Sequence, residues 1–323
     1  MATKVILDVD TGSDDAIAVM AAALSPEIDV AAICTTWGNQ GIENTTDNTL
    51  RLVQALGIDV PVYKGCDTAM TKYLTNDFVP NKIRPAVMHE GKPFVMHAEH
   101  LDLPEATIAF EDMPAAVFYI DYLRKAEDKV TLVPVGPLTN LGLALRIAPD
   151  IAEKVDQIVI MGGGSKITNC NPWSESNIWH DPEAAQIVIN CGAKVVFVPL
   201  DATHAAPITL DDCKRFRKIN TFASNFSAEL CEQRIIVHNS DQPLDIPDSA
   251  AVHDPLCIAY LIDPTVLTDV RHCHVEIGLS GFGEGQTIVD PRAYTLEKNA
   301  YFAFNADRSK FVDILCACFE HGK

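Results

Sequence analysis

The chain has 323 residues, of which 48% are hydrophobic and 21% are charged, and its formal net charge is -19. This composition is typical of a globular protein with a sizeable core, and it excludes disordered and fibrous chains. An acidic surface repels nucleic-acid phosphates and anionic lipids. We therefore expect neither nucleic acid nor a membrane as a partner.

The location of the protein is predicted from its N-terminal sequence and its cysteines. MATKVILDVD lacks the basic region and the long apolar run of a signal peptide, and the other apolar runs are only strand-sized. The ten cysteines form no paired C-x-x-C sets, which argues against a structural zinc site. We expect reduced thiols and a cytoplasmic protein.

Short apolar runs alternate with helical patterns up to about residue 200. Strands are predicted at 5–7, 30–35, 130–135, 158–161 and 195–200, and helices at 16–23, 44–56, 138–147 and 181–190. This alternation predicts an α/β fold with a mostly parallel central sheet that is flanked by helices, in a Rossmann-type topology. In such sheets the ligand binds beyond the carboxyl ends of the strands.

Two segments depart from this pattern, at about 68–111 and 239–249. Both contain prolines and many polar residues, and both show weak periodicity. Long irregular segments in compact domains are usually functional or mobile, so we predict mobile loops there. No repeat, low-complexity tract or linker divides the sequence, and residues 1–323 are predicted to form a single domain.

Four aspartates lie within eight residues near the N-terminus, in V-I-L-D-V-D-T-G-S-D-D-A. Asp8 and Asp10 are expected on one face of the first strand, and Asp14 and Asp15 follow a turn at Gly12 and begin a helix. Capping of a helix explains one aspartate but not four. Because clustered carboxylates repel one another unless a cation is present, the cluster predicts a site for a hard divalent cation.

The spacing of these aspartates differs from that of an EF-hand loop, so further ligands must come from distant parts of the chain. Asp254, in A-V-H-D-P-L, is the candidate, and His253 places a titratable group beside it. The alternative is that Asp254 caps the helix predicted at 255–261.

A series of short motifs runs along almost the whole chain. The motifs are D-x-D-x-G-x-D-D-A at 8–16, W-G-N at 37–39, D-V-P-V-Y-K-G at 59–65, G-P-L-T-N-L at 136–141, M-G-G at 161–163, N-x-x-P-x-x-E-x-N at 169–177, D-P-E-A-A at 181–185, H-D-P at 253–255 and G-Q-T-I-V-D at 285–290. In this order and combination they resemble the inosine-uridine preferring nucleoside hydrolase family. The resemblance implies hydrolysis of the N-glycosidic bond of ribonucleosides, which yields free nucleobase and ribose.

The resemblance also implies roles for individual residues. It implies a Ca²⁺ ion held by the carboxylates of Asp10, Asp15 and Asp254 and by the main-chain carbonyl of Val135. Asp10 is implied as the general base that activates a metal-bound water. Contacts with the substrate are implied for Asp14, Asn39, His97, Met161, Asn169, Glu175, Asn177 and His253. Family members are commonly homodimers or homotetramers, and we expect the same here.

The nucleobase side of the site departs most from the family's pattern. His253 stands where one subgroup has a histidine that helps the base to leave and a purine-specific subgroup has tryptophan. His253 is therefore the candidate catalytic acid. The family often reads H-G-x-x-G-L where this chain has H-A-E-H-L-D-L at 97–103, so the roles of His97 and His100 stay open. Base preference stays open too.

Two other functions compete with this interpretation. A haloacid-dehalogenase-like phosphohydrolase also has a first strand that ends in D-x-D, but it requires threonine or valine where Gly12 stands. The second is a non-catalytic protein that binds nucleosides and cations on the same scaffold. Because every implied metal and ribose position is filled, the sequence favours the enzyme.

Overall fold

The computed structural model describes residues 2–74, 86–292 and 296–322. Its α-helices, α1 to α11, are Ser13–Leu24, Ile42–Leu56, Ala115–Lys125, Thr139–Ile147, Ser176–His180, Pro182–Ile189, Leu200–Thr203, Leu210–Ile219, Phe222–Asp241, Pro255–Ile262 and Arg308–Glu320. Its strands, β1 to β13, are Thr3–Val9, Ile28–Thr35, Val62–Lys64, Val87–His89, Lys92–Phe94, Val130–Pro134, Val155–Met161, Lys194–Val198, Ile208–Thr209, Ser249–Ala250, Val270–Ile277, Thr287–Asp290 and Ala300–Ala303.

Within these described ranges, nine strands form one sheet in the order β12-β11-β13-β8-β7-β6-β1-β2-β3. The seven strands β13, β8, β7, β6, β1, β2 and β3 are parallel to one another. Strand β11 is antiparallel to its two neighbours, β12 and β13. The predicted α/β fold with a mostly parallel sheet is therefore confirmed.

Alternation along the strands divides the core into two layers, one on each face of the sheet. Val5, Leu7 and Val9 of β1 pack into the layer that contains α1, α2, α9, α10 and α11. Ile6 points the other way, into the layer of α3, α4 and α6. This arrangement follows from the two-residue period of side chains in a strand.

The two irregular segments contain more regular structure than predicted. The first includes the hairpin of β4 and β5, while its residues 75–85 lie outside the described residues. The second begins inside a helix, because α9 continues to Asp241 and the Gln242 N–H donates to the His238 carbonyl at 3.0 Å. This bond closes one more helical turn, so the predicted start of the second loop is wrong.

None of the described helices combines the length and the apolar character that a membrane span requires.

Candidate active site

A pocket opens at the edge of the sheet where β1, β2, β6 and β7 end, as expected for a parallel sheet. Its walls include predicted residues from six distant parts of the chain, namely Asp10, Asp14, Asn39, His97, Val135, Met161, Asn169, Glu175, Asn177, His253 and Asp254. Asp15 lies directly behind this wall and is fully buried. The structure thus brings together the residues that the sequence places far apart.

Asp10 and Asp15 are held by a network of hydrogen bonds at the end of β1. Asp15 Oδ1 accepts from the Asp10 N–H at 3.1 Å, and Oδ2 accepts from the Gly12 N–H at 3.0 Å. Asn39 donates its backbone N–H to Asp10 Oδ2 at 2.7 Å and its amide Nδ2 to Asp15 Oδ2 at 3.0 Å. Gly38, with φ +154°, has no room for a Cβ because Asp10 packs against it.

The carboxylates strongly disturb one another's protonation. Burial, and then the neighbouring charge of Asp15, raise the pKa of Asp10 well above its usual range. Burial and the charge of Asp14 raise the pKa of Asp15 to about 6. Burial and the three other aspartates raise the pKa of Asp254 well above its usual range as well. Such mutual repulsion marks a site built for an additional positive charge.

Arg234 of α9 supplies a positive charge to one member of this cluster. Its Nη1 donates to Asp14 Oδ1 at 2.9 Å and to Ser13 Oγ at 2.8 Å. Nε and Nη2 both donate to the Ala251 carbonyl, at 3.2 and 2.9 Å. Burial acts to raise the pKa of Asp14, but Arg234, His97 and backbone N–H groups outweigh it, and the pKa is lowered.

Asp254 does not act as a helix cap. It precedes α10, but its side chain makes no capping hydrogen bond to this described helix. It lies 3% exposed in the wall of the pocket. The capping alternative is therefore wrong, and the carboxylate is directed to the acidic cluster.

The opposite wall is built by the loop after β7 and by α5. Glu175 accepts from the N–H groups of Gly163 at 2.9 Å, Asn177 at 2.9 Å and Ile178 at 3.1 Å. Burial raises the pKa of Glu175 to about 6 against the effect of these donors. Asn169 Oδ1 accepts from the Ser176 N–H at 2.9 Å, which ties the loop to α5.

Asn177 links this wall to two backbone carbonyls at the floor of the pocket. Its Nδ2 donates to the carbonyl of Val135 at 2.7 Å and to that of Met161 at 3.1 Å. A carbonyl oxygen has two lone pairs, so Val135 can still offer one to a cation.

His253 lies in a cluster of three histidines. Its ring stacks on His204 at 5.7 Å between centroids and lies 6.5 Å from the ring of His238. Thr203 Oγ1 is 2.8 Å from His253 Nδ1. Burial, then Arg234 and the other two histidines, lower the pKa of His253 well below its usual range. The ring is therefore neutral and offers a hydrogen bond rather than a cationic acid.

The two histidines of the loop that includes residues 97–103 have different environments. His97 lines the pocket, 3.9 Å from Asp14 Oδ1, and packs so closely on Gly12 that a Cβ there would collide with its ring. His100 instead pairs with Asp47 at 3.1 Å and is half exposed. His97 alone of the two lines the pocket.

Asp8 does not share the environment of Asp10. Strand β1 ends at Val9, and Asp8 points into the opposite layer, where Tyr119 donates at 3.1 Å and Asn140 at 3.0 Å. Burial raises the pKa of Asp8 to about 7. The expectation that Asp8 and Asp10 share a face of the strand is wrong, because the chain leaves the strand before Asp10.

Sequence reasoning missed several side chains of the pocket. Arg234, His238 and Gln242 lie four residues apart on α9, and His180 ends α5. A spacing of four residues places side chains on one helical face. This spacing was the available signal for α9, while His180 falls between two family motifs and carries no signal of its own.

The oxygen ligands of this pocket could hold a hard divalent cation. Asp10, Asp15 and Asp254 offer carboxylate oxygens, and Val135 offers a carbonyl, which are the ligand types that Ca²⁺ prefers. Relief of the repulsion that raises the pKa values of the three aspartates would favour binding.

A second possible trio is less suitable. Ligand atoms of Asp14, Asp15 and His97 also lie within 4.8 Å of one another among the described residues. However, Asp14 is already paired with Arg234, and an imidazole nitrogen suits transition metals better than Ca²⁺. The set of four oxygens consists of the ligand types that suit a hard cation better.

Fold and pocket together define an α/β protein with a carboxylate-rich site suited to a cation and a polyhydroxylated ligand. Residues 5–313 match the family described as inosine-uridine preferring nucleoside hydrolase. The chain is 37% identical over 318 residues to the pyrimidine-specific ribonucleoside hydrolase RihA of Escherichia coli O1:K1, covering 98% of this chain and 97% of that protein. RihA of Escherichia fergusonii is equally similar, with 37% identity over 318 residues and the same coverage.

Two solved structures agree with this assignment. The plant nucleoside hydrolase PpNRh1 superposes with a TM-score of 0.87 at 28% identity, over 99% of each chain. The purine-preferring ribonucleoside hydrolase of Gardnerella vaginalis superposes with a TM-score of 0.84 at 31% identity, over 98% of this chain and 99% of that one. The chain belongs to the inosine-uridine preferring nucleoside hydrolase family. The predicted enzyme class, an N-glycosyl hydrolase, is confirmed, and the phosphohydrolase alternative is excluded.

Proposed function

We propose that this enzyme hydrolyses the N-glycosidic bond of ribonucleosides with Ca²⁺ held by Asp10, Asp15, Asp254 and the Val135 carbonyl. The observation that carries the proposal is a cluster of four buried carboxylates at one polar pocket. Three of them line the pocket, and Asp15 lies behind, bonded to the Asp10 N–H. Three of the four have raised pKa values. Bound Ca²⁺ would lower the pKa of a coordinated water and bind the vicinal hydroxyls of ribose.

Asp10 is the proposed general base. Its carboxylate is 2% exposed, and the Asn39 N–H fixes one of its oxygens. Asp10 lines the pocket at the end of β1, so its carboxylate is placed to accept a proton from the attacking water.

The remaining acidic and amide groups are proposed to bind ribose and to stabilise the cationic sugar that forms as the bond breaks. Asp14 and Asn39 lie beside the carboxylate cluster, and Asn169, Glu175 and Asn177 form the facing wall. Carboxylate and amide oxygens on both sides favour positive charge on the sugar ring. Met161 contributes the carbonyl that holds Asn177 in place.

The departing base is proposed to lie against His253, Arg234 and His238. Thr203 lies within hydrogen-bond distance of His253 Nδ1, which leaves Nε2 of the neutral ring to face the base. Arg234 places a buried positive charge in the same wall, and this charge favours the negative charge that the base acquires on leaving. His97 closes the pocket from the adjacent loop.

A turnover panel tests the proposal. The relatives named above include pyrimidine-specific and purine-preferring enzymes, so the panel contains uridine, cytidine, inosine, guanosine and adenosine. We expect ribose release from at least one of them, loss of activity with a chelator and recovery with Ca²⁺. Binding of ribosides without ribose release would refute the proposal and favour the non-catalytic alternative.

The cytoplasmic location and the homodimeric or homotetrameric state remain predictions. All ten cysteines are free thiols, which agrees with a reducing compartment. Analytical ultracentrifugation of the purified protein tests the oligomeric state.

A further inference from the structure

His180 is a pocket residue to which no family motif and no step of the mechanism assigns a role. It is the last residue of α5, is 7% exposed and lines the pocket beside Ser176 and Asn177. A buried polar side chain in a binding pocket is either satisfied by the protein or available to a ligand. The hydrogen bonds of the ring distinguish these possibilities.

One nitrogen of the ring is fully committed to the protein. Nδ1 lies 2.6 Å from the main-chain carbonyl of Ser176. A carbonyl can only accept, so Nδ1 carries the proton. In the neutral ring the proton on Nδ1 leaves Nε2 with a lone pair, which makes Nε2 an acceptor.

The ring is also held neutral and in a fixed orientation. Trp37 and Trp179 meet it edge to face, with centroids at 5.0 and 5.3 Å. Burial lowers the pKa of His180 to about 4, so the ring carries no charge at neutral pH. Nε2 therefore stays an acceptor under physiological conditions.

Nε2 is available to a ligand. Over the described residues, both hydrogen-bond contacts of the ring are made by Nδ1, to the carbonyl and the hydroxyl of Ser176. Nε2 is not fully enclosed by protein, and His180 lines the pocket, so this nitrogen is open to a group in the pocket. Because an acceptor requires a donor, the group that meets it must be a hydroxyl or an N–H of the substrate.

The positions of the other pocket walls identify the substrate group that donates to Nε2. This step rests on the proposed function, in which the vicinal hydroxyls lie at the aspartate cluster and the base lies at His253. Beyond the base and these two hydroxyls, a ribonucleoside carries one more donor on its sugar, the 5′-hydroxyl of the CH₂OH group attached to C4′. The wall that carries Glu175 and His180 is left for this substituent.

We propose that Nε2 of His180 accepts a hydrogen bond from the 5′-hydroxyl of the ribonucleoside. His180 is then a specificity residue, since a substrate without this hydroxyl leaves the buried acceptor without a partner. Loss of one such bond reduces kcat/KM by about tenfold to a hundredfold.

The test combines variants of His180 with variants of the substrate. His180→Asn keeps a donor near the Ser176 carbonyl but removes the acceptor at the Nε2 position, whereas His180→Gln keeps a polar atom at the Nε2 position. Each enzyme is assayed on the nucleoside that the wild type hydrolyses fastest and on its 5′-deoxy analogue. Circular dichroism melts check that the variants are folded.

We expect His180→Asn to lose about tenfold or more in kcat/KM on the nucleoside and almost nothing on the 5′-deoxy analogue. His180→Gln should retain more of the activity on the nucleoside. Equal losses on both substrates, or a wild type that does not distinguish them, would overturn the proposal even if His180→Asn fails to fold. Absence of ribose release from every nucleoside would instead refute the proposed function.

Discussion

The proposed base, Asp10, can be separated from the metal site by a substitution that keeps an oxygen ligand. Asp10→Asn preserves a carbonyl oxygen but cannot accept the proton of water. We expect kcat to fall by about 10²- to 10⁴-fold, the usual contribution of a general base, while riboside binding is largely retained. Steady-state kinetics and calorimetric titration with a riboside measure the two quantities.

The control for this experiment is Asn39→Ala. The Asn39 side-chain amide donates to Asp15 Oδ2 and to the main-chain carbonyl of Asp10 but carries no titratable group, so its loss should raise KM as well as lower kcat. Unchanged turnover in Asp10→Asn would exclude Asp10 as the base.

Removal of His253 is expected to reduce turnover most for substrates whose base is a poor leaving group. We predict that His253→Ala reduces turnover of natural nucleosides by about 10²-fold or more but hardly affects a 4-nitrophenyl riboside, whose leaving group needs no assistance. The ratio of kcat/KM on the two substrates is the measurement. Equal losses on both would assign His253 to binding alone.

At the scale of residues, the sequence predicted the ribose half of the site better than the base half. Asp10 and Asn39 sit in short motifs directly after β1 and β2, where topology fixes their position, and Glu175 lies in a motif immediately before α5. Arg234 and His180 reach the pocket through tertiary packing of helices. The four-residue spacing on α9 indicates only that Arg234 and His238 share a helical face, and it does not indicate what that face contacts. Asp8 illustrates the same limit, because the end of β1 at Val9 decides which layer it enters.

Among the elements, α9 connects the proposed base wall with the carboxylate cluster through Arg234. The Arg234 side chain is 1% exposed and forms an ion pair with Asp14 of α1. Removal of one member of such a pair leaves a buried, uncompensated charge. Arg234→Met should therefore lower the free energy of unfolding by about 3–5 kcal/mol, as measured by urea denaturation with a chelator present.

The double variant Asp14→Asn/Arg234→Met provides the control for this prediction. Since it removes both charges, it should recover part of the stability lost in Arg234→Met. If the double variant is less stable than Arg234→Met by the full effect of Asp14→Asn, the two side chains are not coupled and the prediction fails.

The elements themselves were largely predictable. Apolar runs gave β1, β2, β6, β7 and β8 to within a few residues, because buried parallel strands are continuously apolar. Helix α9 was not predicted, and its last turn lies in the predicted second loop, because that turn is polar and exposed and is closed by a backbone hydrogen bond. The antiparallel strands at β11 and β12 have exposed residues and gave no clear pattern.

At the scale of the whole molecule, the sheet assembles a site that is electrostatically unfavourable until a cation binds. Burial raises the pKa of Asp15 from 3.8 to about 6, and that of Glu175 from 4.5 to about 6. The folded chain therefore binds these protons more tightly than the unfolded chain does. Stability is greatest below the unfolded pKa values and falls as the pH rises through the folded ones.

This balance predicts opposite effects of pH and Ca²⁺ on the melting temperature. With a chelator, the melting temperature should fall as the pH rises from about 4 to about 7, because Asp15 and Glu175 lose their protons in the folded chain. In the proposed site Ca²⁺ would bind the ionised carboxylates, so it should raise the melting temperature more at about pH 7.5 than at about pH 5. Asp254→Asn removes one proposed ligand and should show a smaller Ca²⁺ shift at the higher pH. A Ca²⁺ shift that is independent of pH, and unchanged in this variant, would place the ion outside the aspartate cluster.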